Sequence, residues 1–86
     1  MATVLVNHLN IRTEPSIHLR IDGYFNKGDK IYNYDALVFE CPYIWVRFYK
    51  GGKRRYVCKS IGTSYMDVYV DIPDFDRLPQ IGDGWD

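Results

Sequence analysis

The chain has 86 residues, 47% hydrophobic and 26% charged, a composition typical of one small folded domain rather than of a disordered segment. Eleven Lys and Arg balance eleven Asp and Glu, which argues against a domain built mainly to bind nucleic acid or an acidic membrane surface. The longest apolar run, Ala36 to Phe39, has four residues, whereas a membrane-spanning helix needs roughly 20. The first residues include no basic start and no extended apolar segment, which predicts that no secretory signal is present.

Short aromatic and β-branched runs, separated by glycine and proline, predict strands along most of the chain. Seven Gly and four Pro interrupt the sequence too often for long helices. In chain order the predicted strands are Thr3 to Asn7, Leu9 to Arg12, Lys30 to Tyr34, Leu37 to Cys41, Ile44 to Tyr49, Lys53 to Lys59 and Tyr65 to Val70. Six or seven short strands predict an all-β fold, a small closed or nearly closed β-barrel, since closure removes exposed strand edges.

The clearest local prediction is a hairpin from Ile44 to Cys58 that turns at Gly51-Gly52. Two glycines supply the positive φ angles that a tight hairpin turn requires. This register places Cys58 opposite Trp45 and leaves Cys41 about 13 Å away along the strand. That separation exceeds the reach of a disulfide, so we expect two free thiols.

Alternation along the first strand of this hairpin separates two sets of side chains. Ile44, Val46 and Phe48 share one face and are expected in the core. Trp45, Arg47 and Tyr49 share the other face, and together they form an aromatic and cationic stripe that a monomeric domain has little reason to leave in water. Two roles stay open for this face: a ligand groove, or a surface covered by the C-terminal tail or by a neighbouring chain.

Three segments also occur in a characteristic order and spacing: Leu9-Asn-Ile-Arg-Thr-Glu-Pro-Ser16, Asn26-Lys-Gly-Asp-Lys-Ile31 and Trp45-Val-Arg-Phe-Tyr-Lys-Gly-Gly-Lys-Arg-Arg-Tyr-Val57. Together they resemble the bacterial Src homology 3 domain family, whose members have similar motifs in the same order. Asn33 stands where that family commonly has a second apolar core residue. This difference predicts a register shift or a bulge within Lys30 to Tyr34.

The resemblance implies a Src-homology-3-like barrel over residues 1–70 and a binding function without catalysis. Domains similar to this one target peptidoglycan hydrolases, autolysins and phage endolysins to bacterial cell walls. The implied partners are therefore a peptidoglycan peptide or wall polymer and the catalytic domain of a lysin. We expect synthesis in the cytoplasm and action at the bacterial cell wall after release.

Aromatic side chains with one cation are suited to that role, because Tyr and Trp stack on sugars or peptide planes and Arg pairs with carboxylates or phosphates. The candidate ligand-binding residues are Tyr32, Tyr34, Tyr43, Trp45, Arg47 and Tyr49. For the tyrosines, packing between strands is the alternative interpretation.

Other function classes have less support in the sequence. The strongest candidates for metal ligands or a nucleophile, His8, His18, Cys41 and Cys58, lack the paired spacing of known sites, and no phosphate-binding glycine loop is present. Six of the eleven basic residues lie between Arg47 and Lys59, where they form either an anion site or a solvated hairpin that protects a strand edge. We expect no catalysis, metal, cofactor, nucleic acid or membrane partner.

Residues 71–86 lie beyond the resemblance and form an acidic tail. From Asp67 to Asp86 there are six acidic residues and one basic residue. Large apolar residues nevertheless recur at intervals of three or four: Ile72, Phe75, Leu78, Ile81 and Trp85. A solvated linker would not need them, so we expect the tail to dock on the barrel or on a neighbouring chain. Docking on a neighbour gives the alternative function, a protein-interaction or homo-oligomerisation module that uses the Trp45 face and the tail.

Overall fold

A computed structural model describes residues 1–18, 20–40, 42–62 and 68–82, and over these residues the fold is small and all-β. The strands are β1 (Ala2–Val4), β2 (Leu9–Arg12), β3 (Ile21–Phe25), β4 (Lys30–Ile31), β5 (Tyr34–Glu40), β6 (Tyr43–Lys50), β7 (Lys53–Ile61), β8 (Val70–Asp71) and β9 (Gln80–Ile81). A short 3-10 helix, Phe75–Arg77, lies between β8 and β9. The predicted all-β class is confirmed.

Two hydrogen-bonded sheets contain all the strands of the described residues. The small sheet has the order β4-β1-β8, and the large sheet has the order β3-β2-β7-β6-β5-β9. Over the described residues these sheets do not close into a barrel, which corrects the expected closure. The reason is that β1 pairs with β4 and β8 instead of extending the large sheet, so β3 and β9 stay at its edges.

The predicted hairpin is formed by β6 and β7. Gly51 and Gly52 adopt φ angles of 59° and 79° at the turn, and Trp45 pairs with Cys58 as the sequence predicts. Beyond that pair the register shifts, because Ile44 pairs with Ser60. The predicted core face is also confirmed, since its three apolar residues belong to the buried cluster between the sheets: Ile44, Val46 and Phe48.

Two departures from the predicted strands have local causes. The segment Lys30 to Tyr34, for which a register shift or a bulge was predicted, divides instead into β4, which ends at Ile31, and β5, which begins at Tyr34. A register shift does occur, but between Tyr34 and Ala36. Strand β3 was not predicted, because Gly23 interrupts its pattern of alternation. Gly23 has a φ of 113°, and the Lys50 ammonium lies 3.2 Å from the position that a Cβ would occupy there. Position 23 therefore favours glycine over any residue with a side chain.

The C-terminal segment, as far as Gly82, packs against the sheets of its own chain. Ile72 is buried in the core cluster, and Leu78 packs against that cluster. The ammonium of Lys59 lies 5.2 Å from the centre of the Phe75 ring, a cation–π distance. Strand β9 runs parallel to β5 at the sheet edge. Cys41, residues 65–67 of the predicted strand Tyr65 to Val70, and Trp85 lie outside the described residues. Cys58 is a free thiol.

Candidate functional site

An open cleft of about 300 Å³, which we call the tyrosine cleft, lies beside the end of β6. Its base is apolar and mostly buried, and it consists of Ile11, Phe25, Ile31 and Phe48. The rings of Phe25 and Phe48 pack against each other with their centres 5.6 Å apart. The sides carry three tyrosines and three polar residues, namely Tyr24, Tyr32 and Tyr49 with Lys30, Asn33 and Lys50.

Strand ends and connections bring the sides of the cleft together. Tyr24 lies on β3, whereas Tyr32 and Asn33 form the connection between β4 and β5. The backbone N–H of Tyr49 donates to the carbonyl of Asn33 at 3.2 Å, which fixes this connection against β6. Tyr32 is 70% exposed and Tyr24 is 53% exposed, so both rings offer large free surfaces.

Both lysines of the cleft are held by hydrogen bonds. The Lys50 ammonium donates to the carbonyl of Asp22 at 2.8 Å and lies 3.8 Å from its carboxylate. Arg55 binds that same carboxylate at 2.7 Å, so two cations share one acid there. The ammonium of Lys30 donates to the hydroxyl of Thr3 at 2.9 Å. No acidic residue belongs to the described lining of the cleft, and the cleft is therefore positively charged on balance.

The six sequence-predicted site residues do not form one surface. Tyr32 and Tyr49 lie in the tyrosine cleft. Arg47 is adjacent, since its guanidinium and the Tyr49 hydroxyl bind the same carboxylate, that of Asp35. Tyr34 instead donates its hydroxyl to Asp74 at 2.5 Å and accepts a hydrogen bond from the N-terminal ammonium at 2.9 Å.

Tyr43 and Trp45 lie elsewhere on the large sheet, with ring centres 6.0 Å apart. Trp45 is only 2% exposed, so the expectation that its ring forms an outer surface is wrong. Trp45 lies on β6, one of the middle strands of the large sheet, and this position is consistent with its burial. A smaller cavity of about 170 Å³, which we call the Trp45 cavity, is lined by Trp45 together with His8, Leu9, Asn10, Arg12, Ile17 and Cys58.

Sequence analysis missed four of the six residues on the sides of the tyrosine cleft: Tyr24, Lys30, Asn33 and Lys50. Their nearest sequence signal was the aromatic pair Tyr24-Phe25 directly before the Asn26 to Ile31 motif. Pairing between β2 and β3 places that pair beside β2, a contact that no local pattern reveals.

Within the described segments, no helix is long and apolar enough to cross a membrane. Across the same segments, no group of three or more His, Cys, Asp and Glu side chains is arranged to hold a metal ion. Comparison with protein-family models, with curated proteins and with solved structures found no match for this chain. The resemblance to bacterial Src homology 3 domains therefore stays a prediction from the motifs.

Proposed function

We propose that this protein is a non-catalytic module that binds a bacterial cell-wall polymer and brings a lytic enzyme to the wall. The observation that supports this most directly is the tyrosine cleft, where Tyr24, Tyr32 and Tyr49 surround an apolar base beside two lysines. Aromatic rings over an apolar base are suited to a sugar face or a peptide plane, because a tyrosine gives a large contact area at a low cost in conformational entropy.

The two lysines favour wall material that carries negative charge. An ammonium has three donors, and the ammonium of Lys30 donates to the neutral hydroxyl of Thr3. Its charge therefore attracts a peptide carboxylate or a polymer phosphate above the cleft. A wall repeats the same ligand many times, so a modest affinity for each site gives strong retention when several domains are linked.

The alternative function, a protein-interaction module built on the Trp45 face and the tail, has less support. Trp45 is buried, and Ile72 and Leu78 pack against the core of their own chain. These side chains are already in contact within one molecule, whereas Tyr32 and Tyr24 of the cleft are 70% and 53% exposed.

Retention on purified Gram-positive cell walls tests the proposal. Tyr32→Ala and Tyr24→Ala should each reduce retention by about tenfold, the effect of removing an aromatic anchor worth ~1–2 kcal/mol. Ile21→Ala is the matched control, because Ile21 is 55% exposed on β3 but lies outside the cleft. It should bind like the unchanged protein, and circular dichroism should show that all three variants are folded.

The charge of the cleft is tested separately with Lys30→Gln. This variant should bind more weakly and with a smaller dependence on salt, since one cation has been removed. Lys53→Gln, at the exposed hairpin turn outside the cleft, should leave retention unchanged. If the unchanged protein is not retained on walls from any of a panel of Gram-positive species, the proposed function is wrong.

A further inference from the structure

His8 has an unusual backbone conformation. Its φ is 57°, and over the described residues it is the one position other than glycine with a positive φ. Such a conformation is uncommon for a residue with a side chain, costs free energy, and often occurs at functional positions. His8 is exposed, so burial of its side chain does not compensate for this cost.

The contact that the His8 ring makes is with Tyr24 on β3. The two ring centres are 4.3 Å apart and the ring planes are inclined at 29°, so the rings are stacked. Pairing between β2 and β3 puts Tyr24 opposite Asn10, two residues along the chain from His8. Aromatic side chains on neighbouring strands reach each other over such a diagonal separation.

The connection between β3 and β4 fixes the backbone of His8. The N–H of His8 donates to the side-chain oxygen of Asn26 at 3.3 Å. In the opposite direction, the N–H of Lys27 donates to the side-chain oxygen of Asn7 at 3.2 Å. Because these two hydrogen bonds join the same two segments, they hold His8 beside the end of β3, and its ring is a fixed support for Tyr24.

The two stacked residues have different relations to the tyrosine cleft. Tyr24 lines the cleft, whereas His8 is absent from the described lining of the cleft and lines the Trp45 cavity instead. Tyr24 is 53% exposed on a strand at the edge of the large sheet, and exposed side chains ordinarily exchange between rotamers. A ligand that has to immobilise such a ring binds more weakly. A ring stacked on Tyr24 from outside the cleft removes that cost before the ligand arrives.

We propose that His8 is a positioning residue whose ring holds Tyr24 in the rotamer that forms one side of the tyrosine cleft. His8 thereby raises the affinity of the cleft for the wall polymer without contacting it. This inference rests on the proposed function, because it concerns the ligand of the same cleft. It also gives the left-handed backbone at His8 a role, since that conformation occurs where the ring stacks on Tyr24.

The position of the Tyr24 ring is measured without any ligand. Three-bond NMR couplings about χ1 should show one predominant rotamer of Tyr24 in the unchanged protein and rotamer averaging in His8→Asn. Asparagine is suited to this test, because it tolerates a positive φ and lacks the ring. His18→Asn is the matched control, since His18 is also exposed and lies outside the described lining of the cleft. It should leave the couplings of Tyr24 unchanged.

Retention on purified Gram-positive cell walls measures the consequence for binding. His8→Asn should weaken retention about threefold, less than the loss expected for Tyr24→Ala, because the Tyr24 ring is still present but is no longer ordered. His8→Phe supplies a stacking ring and should be retained better than His8→Asn. When Tyr24 is already alanine, His8→Asn should have no further effect, because the ring that it positions is gone. Circular dichroism should show that every variant is folded.

Two results would overturn the proposal. The first is the same rotamer distribution of Tyr24 in the unchanged protein and in His8→Asn. The second is a double variant in which the losses from His8→Asn and Tyr24→Ala multiply, because His8 would then contribute to binding independently of Tyr24. If the unchanged protein is not retained on any wall, the proposed function fails, and the couplings of Tyr24 still decide whether His8 positions this ring.

Discussion

Arg47 on β6 binds Asp35 on β5 through two parallel hydrogen bonds, Nε to Oδ1 at 2.9 Å and Nη2 to Oδ2 at 3.0 Å. The hydroxyl of Tyr49 donates to the same carboxylate at 3.1 Å. Asp35 falls where the β5–β6 register shifts, between the pairs formed by Tyr34 and Ala36. These side-chain contacts therefore join the two strands at the place where their backbone pairing is interrupted.

Replacing the Asp35 carboxylate should destabilise the protein, because it weakens the side-chain contacts between β5 and β6. We expect Asp35→Asn to lower the free energy of unfolding by about 1 kcal/mol, since hydrogen bonds to charged groups contribute ~1.5–3 kcal/mol and partial exposure reduces that value. Urea denaturation measures the change. Asp76→Asn is the control, because Asp76 is exposed, and it should change stability by less than about 0.5 kcal/mol. Equal losses in the two variants would contradict this role of Asp35.

The same contact predicts how stability changes in acid. The hydrogen bond from Arg47 lowers the pKa of Asp35 below its ordinary value of 3.8. The folded state therefore favours the charged carboxylate. The contribution of Asp35 to the free energy of unfolding is fully present above pH 3.8 and is lost as pH falls through the lowered pKa. In Asp35→Asn the acid-induced loss of stability should be smaller. A pH series of urea denaturations tests this, and identical acid profiles for the two proteins would refute it.

Tyr34 should make the stability of the protein depend on pH in the alkaline range. Burial, together with the hydrogen bond to Asp74, raises the pKa of Tyr34 from 10.0 to about 12. Folding thus favours the neutral phenol. The contribution of Tyr34 to the free energy of unfolding is therefore present below pH 10.0 and is lost as pH rises toward about 12. Tyr34→Phe should lose less stability than the unchanged protein over that interval, whereas Tyr32→Phe, at an exposed position, should behave like the unchanged protein. Denaturation and tyrosinate absorbance provide the measurements.

The sequence was sufficient to predict those features that depend on residues close together in the chain. Gly51-Gly52 and the alternation around Val46 predicted the hairpin, its register and its core face, because turn chemistry and strand periodicity act within a few residues. The tyrosine cleft depends instead on long-range pairing, which brings Tyr24 on β3 to Lys50 on β6. Alternation identified the face on which Trp45 lies, but it contains no information about the residues that cover that face. This is why its burial was not predicted.

The buried ring of Trp45 should make a large contribution to stability. Trp45→Ala should lower the free energy of unfolding by about 3–5 kcal/mol, the typical cost of truncating a buried aromatic residue. Trp45→Phe should cost clearly less, because the ring is retained and the unpaired N–H is removed. Tyr32→Ala is the exposed control and should stay within about 0.5 kcal/mol of the unchanged protein. A Trp45→Ala variant of full stability would show that the ring is not packed as described.

Gly82 should be required for the attachment of β9 to β5. Its φ is 113°, and a Cβ at this position would collide with the backbone oxygen of Phe39, so alanine has neither the conformation nor the space. We expect Gly82→Ala to lower stability by about 1–3 kcal/mol. It should also accelerate hydrogen exchange of the Leu37 amide, which donates to the carbonyl of Pro79 at 2.9 Å.

Gly28→Ala separates the strain of a positive φ from the collision of the Cβ with a neighbour. Gly28 also has a positive φ, 95°, but a Cβ there would have no atom within 4 Å. It should therefore show backbone strain alone, about 1 kcal/mol, and leave exchange at Leu37 unchanged. If Gly82→Ala also leaves Leu37 protected, the contact with Phe39 does not hold β9 in place. Faster exchange at Leu37 in Gly82→Ala alone would instead assign the effect to that close approach, since both glycines have a positive φ and they differ in the atoms around them.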